Sequence, residues 1–516
     1  MTDILFGQSY YLRFDPKLWA AMQPYPPLGT LYAASAMRAH GYSVALFDAM
    51  LAASTDEWAQ ALNQHQPRYA IIYEDNFNYL SKMCLLNMRE AAFTMIQQAQ
   101  AQGCITIVCG SDATDHAEAY LHTGAHYVLL GEGEETLAEL LQKLSIANGQ
   151  LTIDHCATIP GLAYHTPDGP RRNPRRPPLK NVDALPFPAW DLVDVPRYRQ
   201  IWQQKHGYYS MNMVTTRGCP YHCNWCAKPI WGERYHSRSP QNVAAEMHWL
   251  QETFRPDHIW FADDIMGLKP GWWAEFATEV EARQIHLPFK CLSRADLIVR
   301  DPANVHALRR AGCEIVWLGA ESGAQHILNA MEKGTTVEQI YEAARQLHAA
   351  GVRVGFFLQF GYPGETRADI EKTLQMVRDC QPDDIGMSVS YPLPGTRFYE
   401  NVQLQLSAKQ NWTDSADLAM MYQGPFSTAF YRQLHVTLHK EFRARRSWQT
   451  LRDVAGKPAR WQPGHVREMV AILYRLATLP VARHQLARLA AASHEGVPTP
   501  PHMSLSEAAQ PTPQRE

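Results

Sequence analysis

The chain has 516 residues, of which 46% are hydrophobic and 19% are charged, as in globular rather than disordered or fibrous proteins. Its formal net charge of −3 gives no electrostatic reason to expect nucleic acid or an anionic membrane as a partner. The sequence shows no secretory signal, membrane span or disulfide scaffold, so we expect a cytoplasmic protein with more than one domain.

The first region, residues 1–145, alternates short apolar runs with helical patterns. Strands that alternate with helices predict an α/β domain built on a doubly wound parallel sheet. Ligands of such sheets bind where the strands end at their carboxyl edge. The turns expected at that edge supply six candidate ligand-binding residues: Pro27, Gly29, Gly110, Ser111, Gly131 and Gly133.

Residues 146–210 are interpreted as a linker, because turn signals and a run rich in arginine and proline replace the alternation. We interpret that basic run as a solvated loop without a function of its own. A second alternating series over 211–410 predicts a partial (β/α)6 barrel. Residues 411–490 predict a helical C-terminal domain, and the proline-rich residues 491–516 predict a disordered tail.

Three cysteines follow the first predicted barrel strand: Cys219, Cys223 and Cys226. Iron–sulfur cubanes are usually held by four thiolates, so a tight loop with three leaves one iron open to a substrate. A zinc site that adds His222 to the three cysteines is an alternative, and unrelated structural cysteines are another. The crowding of the three cysteines after a strand favours the cluster.

The spacing C-x3-C-x2-C, with Trp225 before the last cysteine, resembles the signature of the radical S-adenosylmethionine (SAM) superfamily. The resemblance implies a 4Fe–4S cluster whose open iron binds the methionine part of SAM. It also implies that electron transfer from the cluster releases a 5′-deoxyadenosyl radical. Residues at the ends of later barrel strands would contact SAM by the same resemblance: Asp263, Asp264, Glu321, Ser322, Gly361, Gly364 and Pro394.

The N-terminal pattern resembles the cobalamin-binding domain of one subclass of these enzymes. That subclass includes cobalamin-dependent methylases and the anaerobic magnesium-protoporphyrin IX monomethyl ester cyclase. The cobalt-ligating run D-x-H-x-x-G is absent from this sequence, but members of the subclass often lack it. We therefore expect cobalamin, with a domain that only shapes the substrate pocket as the alternative.

The resemblance implies a radical SAM oxidoreductase or cobalamin-dependent methyltransferase. Such an enzyme would abstract hydrogen from a small-molecule substrate for oxidative cyclisation, rearrangement or C-methylation. An electron donor such as flavodoxin or ferredoxin would reduce the cluster. The alternative from another class is a non-enzymatic iron–sulfur redox carrier or sensor. The sequence identifies neither the substrate nor a catalytic side chain.

Overall fold

The computed structural model describes residues 2–83, 85–147, 149–226, 230–406, 408–454 and 463–494. The chain divides into two compact units, Met1–Gly424 and Pro425–Glu516. Both β-sheets with predicted ligand-binding edges belong to the first unit.

The first sheet has seven strands in the order β2-β1-β3-β4-β5-β6-β7, and its first five strands are parallel. Its strands are β1 (Ile4–Gly7), β2 (Val44–Leu46), β3 (Tyr69–Tyr73), β4 (Ile105–Cys109), β5 (Tyr127–Leu129), β6 (Leu162–Thr166) and β7 (Gly169–Arg172). The helices around it are α1 (Pro16–Ala21), α2 (Leu28–Ala39), α3 (Asp56–His65), α4 (Tyr79–Lys82), α5 (Leu86–Ala101), α6 (Ser111–Asp115), α7 (Ala117–Thr123), α8 (Glu134–Ile146) and α9 (Ile153–Ala157).

Helices cover both faces of this sheet. Side chains of α3, α5 and α7 form one core with the strands, and those of α2 and α8 form the other. Strand β3 is buried along its whole length, as expected for a central parallel strand covered on both sides. This arrangement confirms the doubly wound sheet.

The region interpreted as a linker contributes to this sheet. Strands β6 and β7 pair antiparallel with each other, and β6 pairs antiparallel with β5. The basic run is not simply solvated, because Arg172 pairs with Glu118 and Arg176 pairs with Glu139. Helix α10 (Val195–His206) then leads to the second sheet.

The second sheet is wholly parallel and has the order β15-β14-β13-β12-β11-β8. Its strands are β8 (Ser210–Met213), β11 (His258–Phe261), β12 (Phe289–Ser293), β13 (Cys313–Glu321), β14 (Arg353–Phe360) and β15 (Asp384–Val389), and a two-stranded ribbon joins β9 (Thr216–Arg217) to β10 (His236–Ser237). The helices are α11 (Pro240–Phe254), α12 (Trp272–Ala282), α13 (Ala295–Arg300), α14 (Pro302–Arg310), α15 (Gln325–Ala330), α16 (Val337–Ala349), α17 (Arg367–Cys380) and α18 (Arg397–Val402). Six parallel strands in sequential order confirm the partial barrel.

The second unit contains two long helices, α19 (Thr428–Val454) and α20 (Pro463–His494), which pack against each other. Residues 491–494, placed in the predicted tail, belong to α20, and the rest of that tail lies outside the described residues. Within the described residues, no helix has both the length and the apolar character needed to cross a bilayer.

Candidate active site

The three cysteines lie on the loop that follows β9, at the carboxyl edge of the barrel. All three are partly buried. Gly218 begins the loop with φ of +81°, and a Cβ atom there would lie 2.0 Å from the carbonyl oxygen of Arg234. Only glycine fits this close approach of two backbone segments. Gly218 therefore determines the point at which the cysteine loop departs from the two-stranded ribbon.

Asp263, at the end of β11, holds the start of this loop. Its carboxylate accepts hydrogen bonds from the backbone N–H groups of Thr215 and Thr216 at 2.7 and 2.6 Å. The hydroxyls of the same two threonines donate to it at 3.1 and 2.8 Å. Burial raises the pKa of Asp263 to about 6, against the opposing effect of these donors. The geometry thus directs this carboxylate toward the protein backbone.

Asn224 anchors the middle of the cysteine loop. Its side-chain amide donates to the carbonyl of Ala330 at 2.8 Å, and its amide oxygen accepts from the hydroxyl of Tyr362 at 3.0 Å. Its backbone N–H donates to the carbonyl of Met331. These contacts tie the loop to segments that follow β13 and β14. Trp225 packs beside them, against an apolar cluster that includes Tyr362.

Two cations stand next to the loop, and sequence reasoning named neither. Arg294, directly after β12, stacks over the Tyr221 ring and points Nη1 at the Cys223 sulfur at 3.8 Å. Lys333 Nζ lies 6.0 Å from the centre of the Trp225 ring. These two side chains place positive charge beside the cysteine loop. Arg294 directly follows β12. The expectation that residues at the ends of barrel strands face the site, which selected Asp264, could therefore have selected Arg294 as well.

Glu321 and Ser322 end β13, as predicted, but both have partners in the protein. Glu321 has φ of +55°, and its carboxylate accepts from Lys333 Nζ at 2.8 Å. Although burial opposes the charged amine, the nearby Glu321 and Cys223 raise the pKa of Lys333. Ser322 is fully buried and its hydroxyl accepts from the backbone of Ala324 at 3.2 Å.

The remaining predicted SAM contacts lie on turns after β14 and β15. The Gly361 N–H donates to the carboxyl group of Glu365 at 2.7 Å. Burial raises the pKa of Glu365 to about 8, so this carboxyl group is largely protonated at neutral pH. Pro394 is half-buried in its turn. Gly364 is exposed, and a Cβ atom there would meet no atom of the described residues within 4 Å, its two chain neighbours apart.

At the edge of the first sheet, several predicted glycines serve close packing. The Gly29 N–H, at the start of α2, donates to the Asp75 carboxylate at 3.0 Å. A Cβ on Gly110 would lie 2.7 Å from the Glu74 side chain. A Cβ on Gly133 would lie 2.5 Å from the Cys109 sulfur. These close contacts at the strand ends explain why glycine, rather than a larger residue, occupies these positions.

Three buried oxygens at the same edge have no hydrogen-bond partner among the residues that the structure describes: Asn76 Oδ1, Ser81 Oγ and Ser111 Oγ. Asn76 and Ser81 follow β3, and Ser111 follows β4. Buried polar atoms are rarely left without partners in proteins. These oxygens fit a ligand rich in amide groups, such as a corrinoid. Of the six residues predicted at this edge, Ser111 alone presents such an atom.

Arg217 joins the two edges. The residue is 3% exposed in its side chain and pairs with both Glu132 and Glu134, which flank Gly133. Its guanidinium also lies 4.8 Å from the centre of the Trp231 ring. Arg217 directly precedes the cysteine loop, so the turn after β5 in the first sheet is held against the start of that loop.

A second ion pair crosses between the edges. Lys82, at the end of α4, donates from Nζ to Asp264 Oδ1 at 2.6 Å. On the same helix, the Tyr79 side chain is 51% exposed although Cys226, Glu321 and Asp264 are electrostatic neighbours of its hydroxyl. The Tyr79 hydroxyl therefore lies close to the cysteine loop, Asp264 and Glu321.

The donor set fits a cubane better than a single zinc ion. The His222 imidazole, 62% exposed, pairs with Glu233 at 2.9 Å rather than turning toward the cysteines. In the described part of the chain, no group of three or more His, Cys, Asp or Glu side chains is placed to hold one metal ion. In a cubane each cysteine binds a different iron, which requires more widely spaced sulfurs.

Two family models match the chain. The radical SAM superfamily model matches residues 213–377, and the B12 binding domain model matches residues 20–141. These matches confirm the prediction of a cobalamin-binding type of domain followed by a radical SAM barrel. The boundaries predicted from the sequence stay predictions.

The curated relatives include proteins named as methyltransferases and proteins named as cyclases. An uncharacterized methyltransferase of Pyrococcus horikoshii is 28% identical over 288 residues, which cover 55% of this chain and 60% of that protein. The chain thus spans less than two thirds of that relative. The anaerobic magnesium-protoporphyrin IX monomethyl ester cyclase of Synechocystis is 26% identical over 378 residues, 72% of each chain.

Solved structures share the fold. The radical SAM methyltransferase TsrM from Kitasatospora setae, with cobalamin and a 4Fe–4S cluster bound, superposes with a TM-score of 0.62. The two sequences are 19% identical, and the match covers 78% of each chain. The likeness shows that the sheet and barrel arrangement is common to both proteins.

Proposed function

We propose that this chain, which matches the radical SAM superfamily model over residues 213–377 and the B12 binding domain model over residues 20–141, is a cobalamin-dependent radical SAM enzyme. Its substrate is a small molecule that undergoes C-methylation or radical cyclisation or rearrangement. One observation carries the proposal: Arg217 binds the edge of the B12-binding sheet directly beside the cysteine loop. We infer that the two cofactor sites lie side by side and open toward one shared cavity beside Tyr79.

We assign the cluster to Cys219, Cys223 and Cys226. When bound, the cluster supplies the electron that cleaves SAM reductively, and the corrinoid supplies methyl-transfer or redox chemistry. Arg294 and Lys333 place positive charge beside the loop, where it balances the negative charge of the thiolates that hold the cluster. Neither cation needs to touch substrate for this role.

Asp263 and Asn224 are positioning residues in this proposal. Each is saturated by hydrogen bonds to the loop or its neighbours, so neither has free capacity for a ligand. Their task is to hold the three sulfurs at a fixed separation before the cluster is assembled. Preorganisation of this kind lowers the cost of binding.

Asp264, Glu321 and Trp225 are better placed to face SAM. Asp264 is partly exposed and Glu321 borders the cavity near Tyr79. The Trp225 indole N–H is buried without a hydrogen-bond partner among the described residues, so it can donate to a ligand. We place Ser322, Gly361 and Pro394 around SAM as shape-determining residues, and the exposed Gly364 outside this set.

We assign the corrinoid to the carboxyl edge of the first sheet, where Ser111 presents its hydroxyl. This edge is one wall of the proposed cavity, and the carboxyl edge of the barrel is the opposite wall. Asn76 and Ser81 offer further unpartnered oxygens there. Pro27, Gly29, Gly110, Gly131 and Gly133 shape the turns of this wall. Tyr79 stands between the two walls, where it excludes water and orients the substrate. A cytoplasmic location and reduction by a flavodoxin or ferredoxin remain part of the proposal.

A redox carrier or sensor is the rival function. A carrier has no use for a cavity bounded by two cofactor edges, and the Tyr79 environment supports the enzyme instead. Product analysis tests the proposal. Reconstituted protein with reductant and SAM is expected to form 5′-deoxyadenosine, while the Cys223→Ala variant forms none. S-adenosylhomocysteine formed alongside 5′-deoxyadenosine favours methylation, and 5′-deoxyadenosine alone favours cyclisation or rearrangement. Formation of neither product contradicts the enzyme assignment.

A further inference from the structure

The second unit has an apolar face that no described residue covers. Along one side of α20, Ile472, Leu479, Ala482 and Leu486 are buried where this helix packs on α19. Gln433 of α19 donates to the carbonyl of Ala482 at 3.1 Å, which fixes the pairing. This side of α20 accounts for the contact between the two helices.

The opposite side of α20 is also apolar, but it is exposed. Leu473 is 70% exposed and Tyr474 is 65% exposed. Positions separated by three, four, seven or eight residues share one face of a helix. The exposed face consists of Met469, Val470, Leu473, Tyr474, Leu476 and Val481. A helix that is apolar on two sides is normally covered on both.

Basic residues are frequent on the two helices that form this unit. The two helices together contain ten lysines and arginines but three acidic residues. Arg443, Arg445 and Arg446 cluster on α19, and Trp448 beside them is 62% exposed. Lys440 lies over the ring of Tyr474, at 5.8 Å from its centre. The net charge of −3 for the whole chain conceals this local excess of positive charge.

We propose that this face of α19 and α20 docks on an anionic lipid surface. Exposed aromatic and aliphatic side chains next to arginine are the pattern of helices that lie in a membrane interface. The apolar side chains would insert among the acyl chains, while the cations contact lipid phosphates. The contact is peripheral, in keeping with the lack of a spanning helix among the described residues.

Other occupants fit the charges less well. A second copy of the chain would bring the same positive charges to the interface, and like charges oppose association. The segment 495–516 has few bulky apolar residues with which to cover the face. An anionic surface both neutralises the cations and accepts the apolar side chains.

Flotation of the full-length protein with vesicles tests the proposal. Vesicles of equal parts phosphatidylglycerol and phosphatidylcholine are expected to carry the protein at low salt, and pure phosphatidylcholine vesicles are expected to carry much less. The double variant L473D/Y474D is expected to lose at least about tenfold in binding, because its charges cannot enter the acyl region. The matched control is L404D, because Leu404 is 99% exposed but belongs to the first unit.

Charge variants separate the electrostatic part of the contact. R443Q and R446Q are each expected to weaken binding about fivefold, and high salt is expected to mimic them. Helical circular dichroism of each variant checks that the fold is retained. The proposal is overturned if wild type does not float, if L404D reduces binding as much as L473D/Y474D, or if the Asp variants instead dissolve a dimer seen by light scattering without lipid.

Discussion

Arg217 Nη2 lies 2.7 Å from Glu134 Oε1, and both side chains are at least 94% buried. The same guanidinium pairs with Glu132, so two carboxylates share one cation. Burial opposes the charged guanidinium, but the two carboxylates raise the pKa of Arg217 further. This relationship connects a turn of the B12-binding sheet to the first residue before the cysteine loop.

Replacing Arg217 with methionine leaves two buried carboxylates without a cation. We expect R217M to lower the free energy of unfolding by about 3–5 kcal/mol, as for other broken buried pairs. Chemical denaturation of the protein without cofactors measures it. The control is R310M, which breaks the pair with Glu281 whose two side chains are 48% and 49% exposed. That change is expected to cost far less, because solvent screens exposed pairs. Equal losses in the two variants would contradict the bridging role of Arg217.

The two aspartates that end β11 have different roles, although they are adjacent. Asp263→Asn replaces one acceptor oxygen by an NH2 group that cannot accept, so the buried Thr215 hydroxyl loses its acceptor when the NH2 group takes the place of Oδ2. We expect this variant to be less stable by about 1–3 kcal/mol and to assemble less cluster. Asp264→Asn removes a partly exposed pair with Lys82. It is expected to retain iron but bind SAM more weakly.

Iron content and SAM affinity, measured on the same preparations, distinguish the two aspartates. If Asp263→Asn kept full iron and stability while Asp264→Asn lost its iron, the assignment of positioning to one residue and ligand contact to the other would be reversed.

Gly218 is required by its surroundings rather than by flexibility in general. Alanine there would place Cβ 2.0 Å from the Arg234 carbonyl, so the cysteine loop must shift. We expect G218A to bind less than half of the wild-type iron after reconstitution. Gly232 provides a matched control, because it also has a positive φ, +69°, but apart from its chain neighbours no atom in the described part of the chain lies within 4 Å of its Cβ position. Alanine at Gly232 is expected to cost only about 1 kcal/mol from backbone strain. Similar iron loss in both variants would show that strain, not the carbonyl contact, governs the loop.

The buried Glu365 carboxyl group is expected to make the stability of the folded chain depend on pH. Burial raises its pKa to about 8 in the folded chain, from an ordinary value of 4.5. A group with a raised pKa contributes stability below its unfolded pKa, and the contribution is lost as the pH rises through its folded pKa. Wild type should therefore lose stability between about pH 5 and 8, with a slope of up to about 1.4 kcal/mol per unit. Glu365→Gln should flatten this slope. Parallel curves for the two proteins would show that the carboxyl group is ionised throughout.

The repeating strand–helix pattern predicted both sheets, because buried parallel strands are short, apolar and regularly spaced. The alternation of apolar residues predicts strands over residues 289–293 and 314–318. Strand β12 has the first of these bounds, and β13 extends to Glu321, three residues beyond the second. The antiparallel strands β6 and β7 were missed. Strand β7 is polar and contains Pro170, and β6 has only a short apolar run at its start. The pairing of both strands depends on the edge of β5, which a local pattern cannot reveal.

Residues of the site with a local sequence motif could be predicted, whereas residues that connect distant segments could not. The cysteine loop has a dense local signature, so three residues could be named together. Arg217, Lys82 and Tyr79 act between segments that are far apart in the sequence, and nothing in their local context marks them. Asn76 has no motif either, and its role emerges only from an oxygen left unpartnered among the described residues. Several predicted glycines serve packing, because close approach of strand ends and of ligands demands the same residue.

The central claim is that one chain holds a cluster and a corrinoid at facing edges. Anaerobic reconstitution of the full chain with iron, sulfide and hydroxocobalamin, followed by assay of both cofactors and of SAM cleavage, tests it most directly. We expect about one cubane and about one corrinoid per chain, with 5′-deoxyadenosine formed after reduction. A chain that binds neither cofactor, or whose Cys223→Ala variant cleaves SAM as fast as wild type, would contradict the account.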